Sequence, residues 1–348
     1  MLAASSPRPT PHVYGHRGAP GYVPENTLGS YALAASMGVE AIELDLVCTK
    51  DGRLVARHEP NLAVSTDVAT RPEFADRWRE IAIGERVERG WFTVDFTLEE
   101  LRTLHAGEPW PDLRGHTLEA EGEWRIPSFD DILACRAAAG AARGRDLGVI
   151  VEIKRSSLFH LLGFDPEAEL LASLGRHGVS TADPLLRLES FETSNLRRLR
   201  EELGFDGSLV FLAEDTGGPL DHLLAGDPRT YADLLTPSSL EELAGLVDVI
   251  APKKHLVIGR TADDRLADPT PLVADAHAVG LEVTPWSFRA ENHFLPAELR
   301  GSDDPAEHGD LAAELTAFFD AGVDGVFCDQ PDLAIAARDD YLRGSEPR

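Results

Sequence analysis

Ala41-Ile42-Glu43-Leu44-Asp45-Leu46-Val47 is an apolar run interrupted by two carboxylates two residues apart. In an extended strand, side chains at i and i+2 point the same way. Glu43 and Asp45 therefore share one face, and Ile42, Leu44 and Leu46 share the other. Burying such a pair is costly unless a cation compensates it. The pattern returns in Val149-Ile150-Val151-Glu152-Ile153-Lys154, where Glu152 and Lys154 stand two apart. Both runs read as buried strands with charge gathered near their C-terminal ends.

Outward from these two strands, six more short apolar runs recur at His12–His16, Leu186–Ser190, Leu209–Leu212, Val247–Ala251, Leu281–Trp286 and Gly325–Cys328. Helical punctuation fills the intervals. Asn26 precedes a helix that stops at Met37–Gly38, and Thr97 with Glu100 and Ser128 with Asp131 have the spacing of capping boxes. Phe191–Leu203 places Leu196, Leu199 and Leu203 on one face before Gly204, and Leu311, Leu315 and Phe318 do the same before Gly322. Eight strands alternating with helices predict an α/β fold, a (β/α)8 TIM barrel rather than an open sheet. No G-x-G-x-x-G opens the first helix, which weakens a doubly wound sheet further.

One interval breaks the rhythm. Asp51-Gly52 signals a tight turn before the strand-like Arg53–His58. The next barrel strand waits until Val149, whereas a βα unit normally takes about 30 to 40 residues. Residues 59–125 therefore read as an insertion after the second strand, emerging at the catalytic face. Trp78, Trp91, Trp110 and Trp124 lie in it, four of the five tryptophans, which predicts an ordered element. A lid or substrate wall is one reading of it, and a surface elaboration is the other.

Composition narrows the function classes. The 348 residues hold 33 basic and 60 acidic side chains, a net charge of −27, and the only lysines are Lys50, Lys154, Lys253 and Lys254. So acidic a surface repels phosphate backbones and anionic lipid, so neither nucleic acid nor stable membrane insertion is expected. A hydrophobic content of 43% with 14 Phe excludes global disorder. Cys48, Cys135 and Cys328 form no C-x-x-C pair and read as buried free thiols. Residues 1–11 read as a flexible N-terminus. Met1 to His12 lacks a basic n-region and an apolar h-region, so a cytoplasmic location is expected.

Glu43, Asp45 and Glu152 on adjacent strands make a hard, oxygen-rich cluster suited to one divalent cation, Mg²⁺ or Ca²⁺, rather than Zn²⁺. Interior salt bridges, Glu152 with Lys154 and Glu43 with an arginine, are the alternative. His16-Arg17-Gly18 ends the first strand. There His16 offers a proton carrier, Arg17 a planar fork for phosphate, and Gly18 close backbone approach at the turn. His58 ends the returning hairpin strand, which folds it towards Glu43 and Asp45. Two histidines beside a metal site form an acid and base pair. A lone histidine at a strand end would instead be a hydrogen-bonded structural residue.

With these residues, Pro24-Glu25-Asn26-Thr27, Lys50-Asp51-Gly52, Glu189-Ser190-Phe191, Thr284-Pro285-Trp286-Ser287-Phe288-Arg289, Gly322-Val323-Asp324-Gly325 and Asp329-Gln330-Pro331-Asp332 stand in a familiar order. The chain resembles the glycerophosphodiester phosphodiesterases from about His12 to Leu333. It departs at Glu59, where the family commonly has Asp after the second histidine. The resemblance implies one phosphodiesterase domain over 12–340. It implies Glu43, Asp45 and Glu152 as metal ligands, and His16 and His58 as the acid/base pair. Arg17 and Lys154 would then contact phosphate, and Trp286 would form an apolar wall. The implied reaction is metal-dependent hydrolysis of small glycerophosphodiesters to glycerol 3-phosphate and an alcohol, with the neighbouring glycerol hydroxyl as nucleophile. A phospholipase D-like lyase that releases the cyclic phosphate, and a non-catalytic phospho-ligand-binding barrel, are the competing readings. Binding alone needs no proton-transfer pair.

Overall fold

The computed structural model of the protein describes residues 10–83, 86–119 and 124–344. The expected flexible stretch 1–11 lies outside these, apart from its last two residues. Eight parallel strands form the centre: β1 (His12–Gly15), β2 (Ala41–Cys48), β3 (Gly148–Ile153), β4 (Leu186–Ser190), β5 (Ser208–Ala213), β6 (Val249–Pro252), β7 (Glu282–Val283) and β8 (Gly325–Cys328). They pair in the order β7-β6-β5-β4-β3-β2-β1-β8. Asp324 N–H donates to Val283 O at 2.9 Å and Phe327 N–H to Pro285 O at 3.2 Å, so β7 and β8 also meet and the barrel is nearly closed.

Alternation along the strands builds two cores. Ile42, Leu44 and Leu46 of β2 join Val149, Val151 and Ile153 of β3 in the large cluster beneath the helices. The inward positions below the mouth hold a second, small cluster that includes Tyr14, Ala41, Ile150, Val210, Leu212 and Phe327. Glu43, Asp45 and Glu152 continue these inward rows towards the C-terminal ends of the strands.

The helix Leu28–Met37 ends at Gly38, whose φ of 102° needs a glycine. Asn26 precedes it as expected, its N-cap is Thr27, and the Thr27 hydroxyl accepts from Ser30 N–H at 3.2 Å. Both expected capping boxes are present, at Thr97/Glu100 and Ser128/Asp131. Leu196, Leu199, Leu315 and Phe318 are buried as their helical faces required. The seventh strand is shorter than Leu281–Trp286, because Pro285 cannot donate to a ladder. Thr284 and Trp286 N–H groups nevertheless bond to Ile250 O (3.0 Å) and Pro252 O (3.2 Å), keeping that segment on β6.

Between β2 and β3 the chain first returns as Leu54–Ala56, antiparallel to β2 with Leu46 opposite Ala56. It then runs through 3₁₀ turns, a hairpin of Arg79–Ile83 and Arg86–Gly90, and short helices Leu98–Leu101 and Pro111–Arg114. Trp91 Nε1–H donates to Phe74 O at 2.7 Å, and Trp110 meets the Phe294 ring edge-on at 5.5 Å. Among the described residues, no helix is long and apolar enough to cross a membrane.

Candidate active site

The parallel register sets Asp45 opposite Glu152 and Glu152 opposite Glu189, so three neighbouring strands deliver three carboxylates at one level of the barrel. Glu43 lies two residues below Asp45. All four are at most 5% exposed. Lys154 Nζ stands between Asp45 Oδ1 (3.1 Å) and Glu152 Oε2 (2.6 Å), while Glu43 Oε2 accepts the Arg17 backbone N–H at 2.7 Å. The interior salt bridge foreseen for Glu152 and Lys154 is therefore present.

Lys154 and the Arg17 guanidinium, whose Nε lies near Asp45, do not neutralise the cluster. Burial, then Asp45 and Glu189, push Glu43 well above the usual carboxylate range. Burial, then Glu152 and Asp45, do the same to Glu189, whose Oε2 is buried without a hydrogen-bond partner. Glu152 is raised by burial to about 7, although Lys154 opposes this. Asp45 alone is held well below its usual range, with Lys154 and Arg17 outweighing its burial. Four hard oxygen donors, one of them orphaned, fit a divalent cation of the Mg²⁺ or Ca²⁺ type. Outside the barrel, His160, Asp165 and Glu167 also draw together, but Arg198 already bonds both of those carboxylates, at 2.7 and 2.8 Å.

A polar shelf supports the cluster from the β1 side. Arg17 Nη1 donates to Glu25 Oε2 at 2.9 Å, and its Nε lies 3.2 Å from Asp45 Oδ2. Asn26 Nδ2 donates to Asp45 Oδ2 at 2.8 Å, and Arg57, fully buried, donates to the Glu25 and Asn26 carbonyls at 2.8 and 3.2 Å. Arg17, Asn26 and Arg155 all take positive φ (53°, 55° and 46°), a conformation L-residues rarely hold unless their surroundings fix it. A Cβ at Gly18 would come within 2.6 Å of the Ser30 backbone, so the turn after His16 admits only glycine.

The two histidines are held alike. His16 Nδ1–H donates to Asp329 Oδ1 at 2.6 Å, and Ser287 Oγ lies 3.3 Å from Nε2. Asp329 Oδ2 is also bound by Arg289 (2.7 Å) and by Arg114 (2.8 Å), the latter supplied by the segment between β2 and β3. Burial, then Arg17, lower the His16 pKa to about 4 against the opposing pull of Asp329. His58 Nδ1 lies 2.7 Å from Glu59 Oε1, and burial, then Arg17 and Lys154, lower its pKa. Both imidazoles are thus neutral near pH 7, with Nδ1 engaged and Nε2 turned to other work. Half-buried Trp286 donates from Nε1 to Ala251 O at 2.8 Å and meets Phe191 edge-on at 5.7 Å.

The sequence pattern of the Glycerophosphoryl diester phosphodiesterase family matches residues 16–333. The chain belongs to that family. It is accordingly an enzyme, a phosphoric diester hydrolase. It is 31% identical to a glycerophosphodiester phosphodiesterase of Arabidopsis thaliana over 92% of this chain and 83% of the relative. The corresponding enzyme of Haemophilus influenzae is 27% identical, over 95% and 90%. In three dimensions the chain superposes on a solved protein from Silicibacter pomeroyi with a TM-score of 0.66, at 24% identity over 95% and 94% of the two chains. An Oleispira antarctica phosphodiesterase, solved in complex with its product sn-glycerol-3-phosphate, matches with a TM-score of 0.61, at 19% identity over 95% and 97%.

In this phosphodiesterase, Asp45 and Glu152 lie in the C-terminal halves of β2 and β3, Glu43 lies deeper in β2, and His16, Arg17, His58, Lys154 and Trp286 lie in the segments that follow strands. Glu43, Asp45, Glu152, Arg17 and Lys154 form one cluster, and His58 feels the charges of three of them. His16 is tied instead to the β8 side, through Asp329. Glu189, Asn26 and Asp329 received no role from the sequence. A signal for Glu189 was available: Arg187 and Glu189 alternate with Leu186 and Leu188 just as Glu43 and Asp45 alternate with their leucines.

Proposed function

We propose that this enzyme hydrolyses glycerophosphodiesters to glycerol 3-phosphate and an alcohol, with His16 and His58 as the proton-transfer pair. The observation that carries the reading is the pairing of two neutral, carboxylate-anchored imidazoles with an under-neutralised nest of four buried carboxylates. Glu43, Asp45, Glu152 and Glu189 would hold a divalent cation, which when bound supplies positive charge to a phosphoryl oxygen. Lys154, released from Asp45 and Glu152, would turn its ammonium to the phosphoryl group, and Arg17 would bind it beside the shelf. One imidazole takes a proton at Nε2 from the neighbouring glycerol hydroxyl, whose oxygen then bonds to phosphorus. The other, which enters the cycle as the imidazolium after taking up a proton at Nε2 from solvent, gives that proton to the departing alkoxide. Water opens the cyclic phosphate by the reverse proton traffic. Asp329 and Glu59 keep each Nδ1 protonated, so Nε2 faces the reaction. Support comes from the family match and from the product held by the Oleispira antarctica relative.

The test is release of glycerol 3-phosphate from glycerophosphocholine, followed with Mg²⁺ or Ca²⁺ added and after chelation. Release that depends on the ion is expected. No release with either ion rejects the reading, and cyclic phosphate accumulating in the phosphorus NMR spectrum would make the enzyme a lyase.

A further inference from the structure

A cavity of about 270 Å³ opens beside Trp286 and Ser287. Ser287 Oγ lies 3.3 Å from His16 Nε2, so one wall of the cavity adjoins that imidazole. Its volume falls just short of the roughly 300–1,000 Å³ of drug-sized sites, which suits a headgroup rather than an acyl chain.

Its charge runs against that of the molecule. Lys253, Lys254, Arg260, Arg289 and Arg300 line it against a single carboxylate, Asp264. Two of the chain's four lysines are here, in a protein of net charge −27. The counter-ions behind the wall are shared. Glu314 alone serves both Lys254 (2.8 and 2.9 Å) and Arg260 (3.3 Å), and Asp329 serves both Arg289 and Arg114. Arg260 Nη1 is buried with no hydrogen-bond partner. Burial lowers the Lys254 and Arg260 pKa values against the pull of Glu314, and it lowers that of His255 together with the neighbouring Lys254 and Arg260 charges. An entering anion relieves each of these strains. A quaternary ammonium has less to gain, since the Arg289 guanidinium already covers the Phe294 ring at 4.7 Å from its centroid.

We propose that this cavity is a subsite for an anionic group on the leaving alcohol of the diester, a carboxylate or a second phosphate. Acidic headgroups are thereby preferred over neutral or cationic ones. The inference rests on the phosphodiesterase reading above and adds the substrate class. Lys253 is the adaptable contact, since its Nζ sits at 3.1 Å from both Glu214 and Asp215 with its side chain still 32% exposed. Asp264 opposes binding by holding Arg300.

Glycerophosphoserine and glycerophosphoethanolamine differ by one carboxylate, so their ratio of kcat/KM reads the subsite directly. It should favour the serine diester by about tenfold. Lys253→Gln should lower the ratio about threefold, and Asp264→Asn should raise it about threefold, opposite signs that general damage to the fold would not produce. A dimer of glycerol phosphate ending in a phosphomonoester tests the second source, and a preference confined to it assigns the subsite to phosphate. Equal kcat/KM for all three diesters overturns the proposal, as do variants that shift all three alike. If no diester is cleaved, the phosphodiesterase reading falls. Calorimetry of phosphoserine against phosphoethanolamine then still decides the cavity, and equal affinities reject it.

Discussion

His16 and His58 make the same hydrogen bond in two different materials. His16 is 7% exposed, and the carboxylate behind it belongs to a closed network. Asp329 binds Arg289 and Arg114, Arg114 binds Glu291 at 2.5 and 3.0 Å, and Gln330 Nε2 donates to Glu291 at 3.0 Å. His58 is half-buried, and Glu59 behind it lies 3.6 Å from Arg155, which reaches on to Glu88 in the hairpin. Solvent screens the second chain of charges and reaches the first only at Arg289, whose side chain is 20% exposed. Function and stability should therefore be coupled at His16 and nearly separable at His58.

The largest effect tests what the two share. His16→Ala and His58→Ala should each cost on the order of 10²- to 10⁴-fold in turnover on glycerophosphocholine, with the circular dichroism spectrum unchanged. Near-normal turnover in either variant removes that imidazole from the reaction and breaks the symmetry of the pair.

Asp329→Asn tests where they part. It leaves Arg114 and Arg289 facing a neutral amide inside the protein, which should cost about 3–5 kcal/mol in urea unfolding. The amide can also donate to Nδ1, which turns the imidazole into the wrong tautomer, so activity should fall on the order of 10²-fold or more. A variant that stays fully stable would show that the network around Asp329 is not the rigid support described above.

Acid titrates the buried site next. The folded-state His16 pKa is about 4 and its ordinary value 6.5, so below pH 6.5 the unfolded chain takes up the proton first. Stability should fall as pH drops from 6.5 to 4 and lose nothing more from this group below that. The shift is worth about 3 kcal/mol. His58 acts in the same direction. His16→Gln should reduce the slope between pH 6.5 and 4 and leave the part due to His58. An unchanged slope would move the buried titration elsewhere.

Periodicity made the barrel legible, because every inward Glu or Asp in β2 and β3 is flanked by outward Ile, Leu or Val packed under helices. The same alternation placed three of the four clustered carboxylates and could have placed Glu189. What it could not supply is contact across the ring. Asp329 is 313 residues from His16, and Glu291 is 177 residues from Arg114. Each pair meets only because β8 closes on β1 or because the segment after β2 folds over the mouth. Asn26, read only as preceding a helix, went without its site contact for a related reason. Its amide serves Asp45, 19 residues on, and leaves capping to Thr27. Charge balance inside the barrel was likewise beyond local pattern, since it depends on Lys154 falling between two strands.

The smallest effect is at Glu59, where the family commonly has the shorter Asp. The longer side chain does reach: Oε1 is 2.7 Å from His58 Nδ1, and that hydrogen bond, against the burial of the carboxylate, holds the Glu59 pKa near 2. Both groups are about one third exposed, so their pairing contributes at most about 1 kcal/mol to stability. Glu59→Gln should therefore leave urea unfolding within about 1 kcal/mol of wild type. Its kcat should fall about tenfold, because a neutral partner no longer favours the imidazolium that forms during turnover. Glu59→Asp should fall between the two, since water can bridge the lost methylene at an exposed edge but could not at Asp329. If Glu59→Gln destabilises the protein as much as Asp329→Asn, the His58 side is as closed as the His16 side, and the contrast between them disappears.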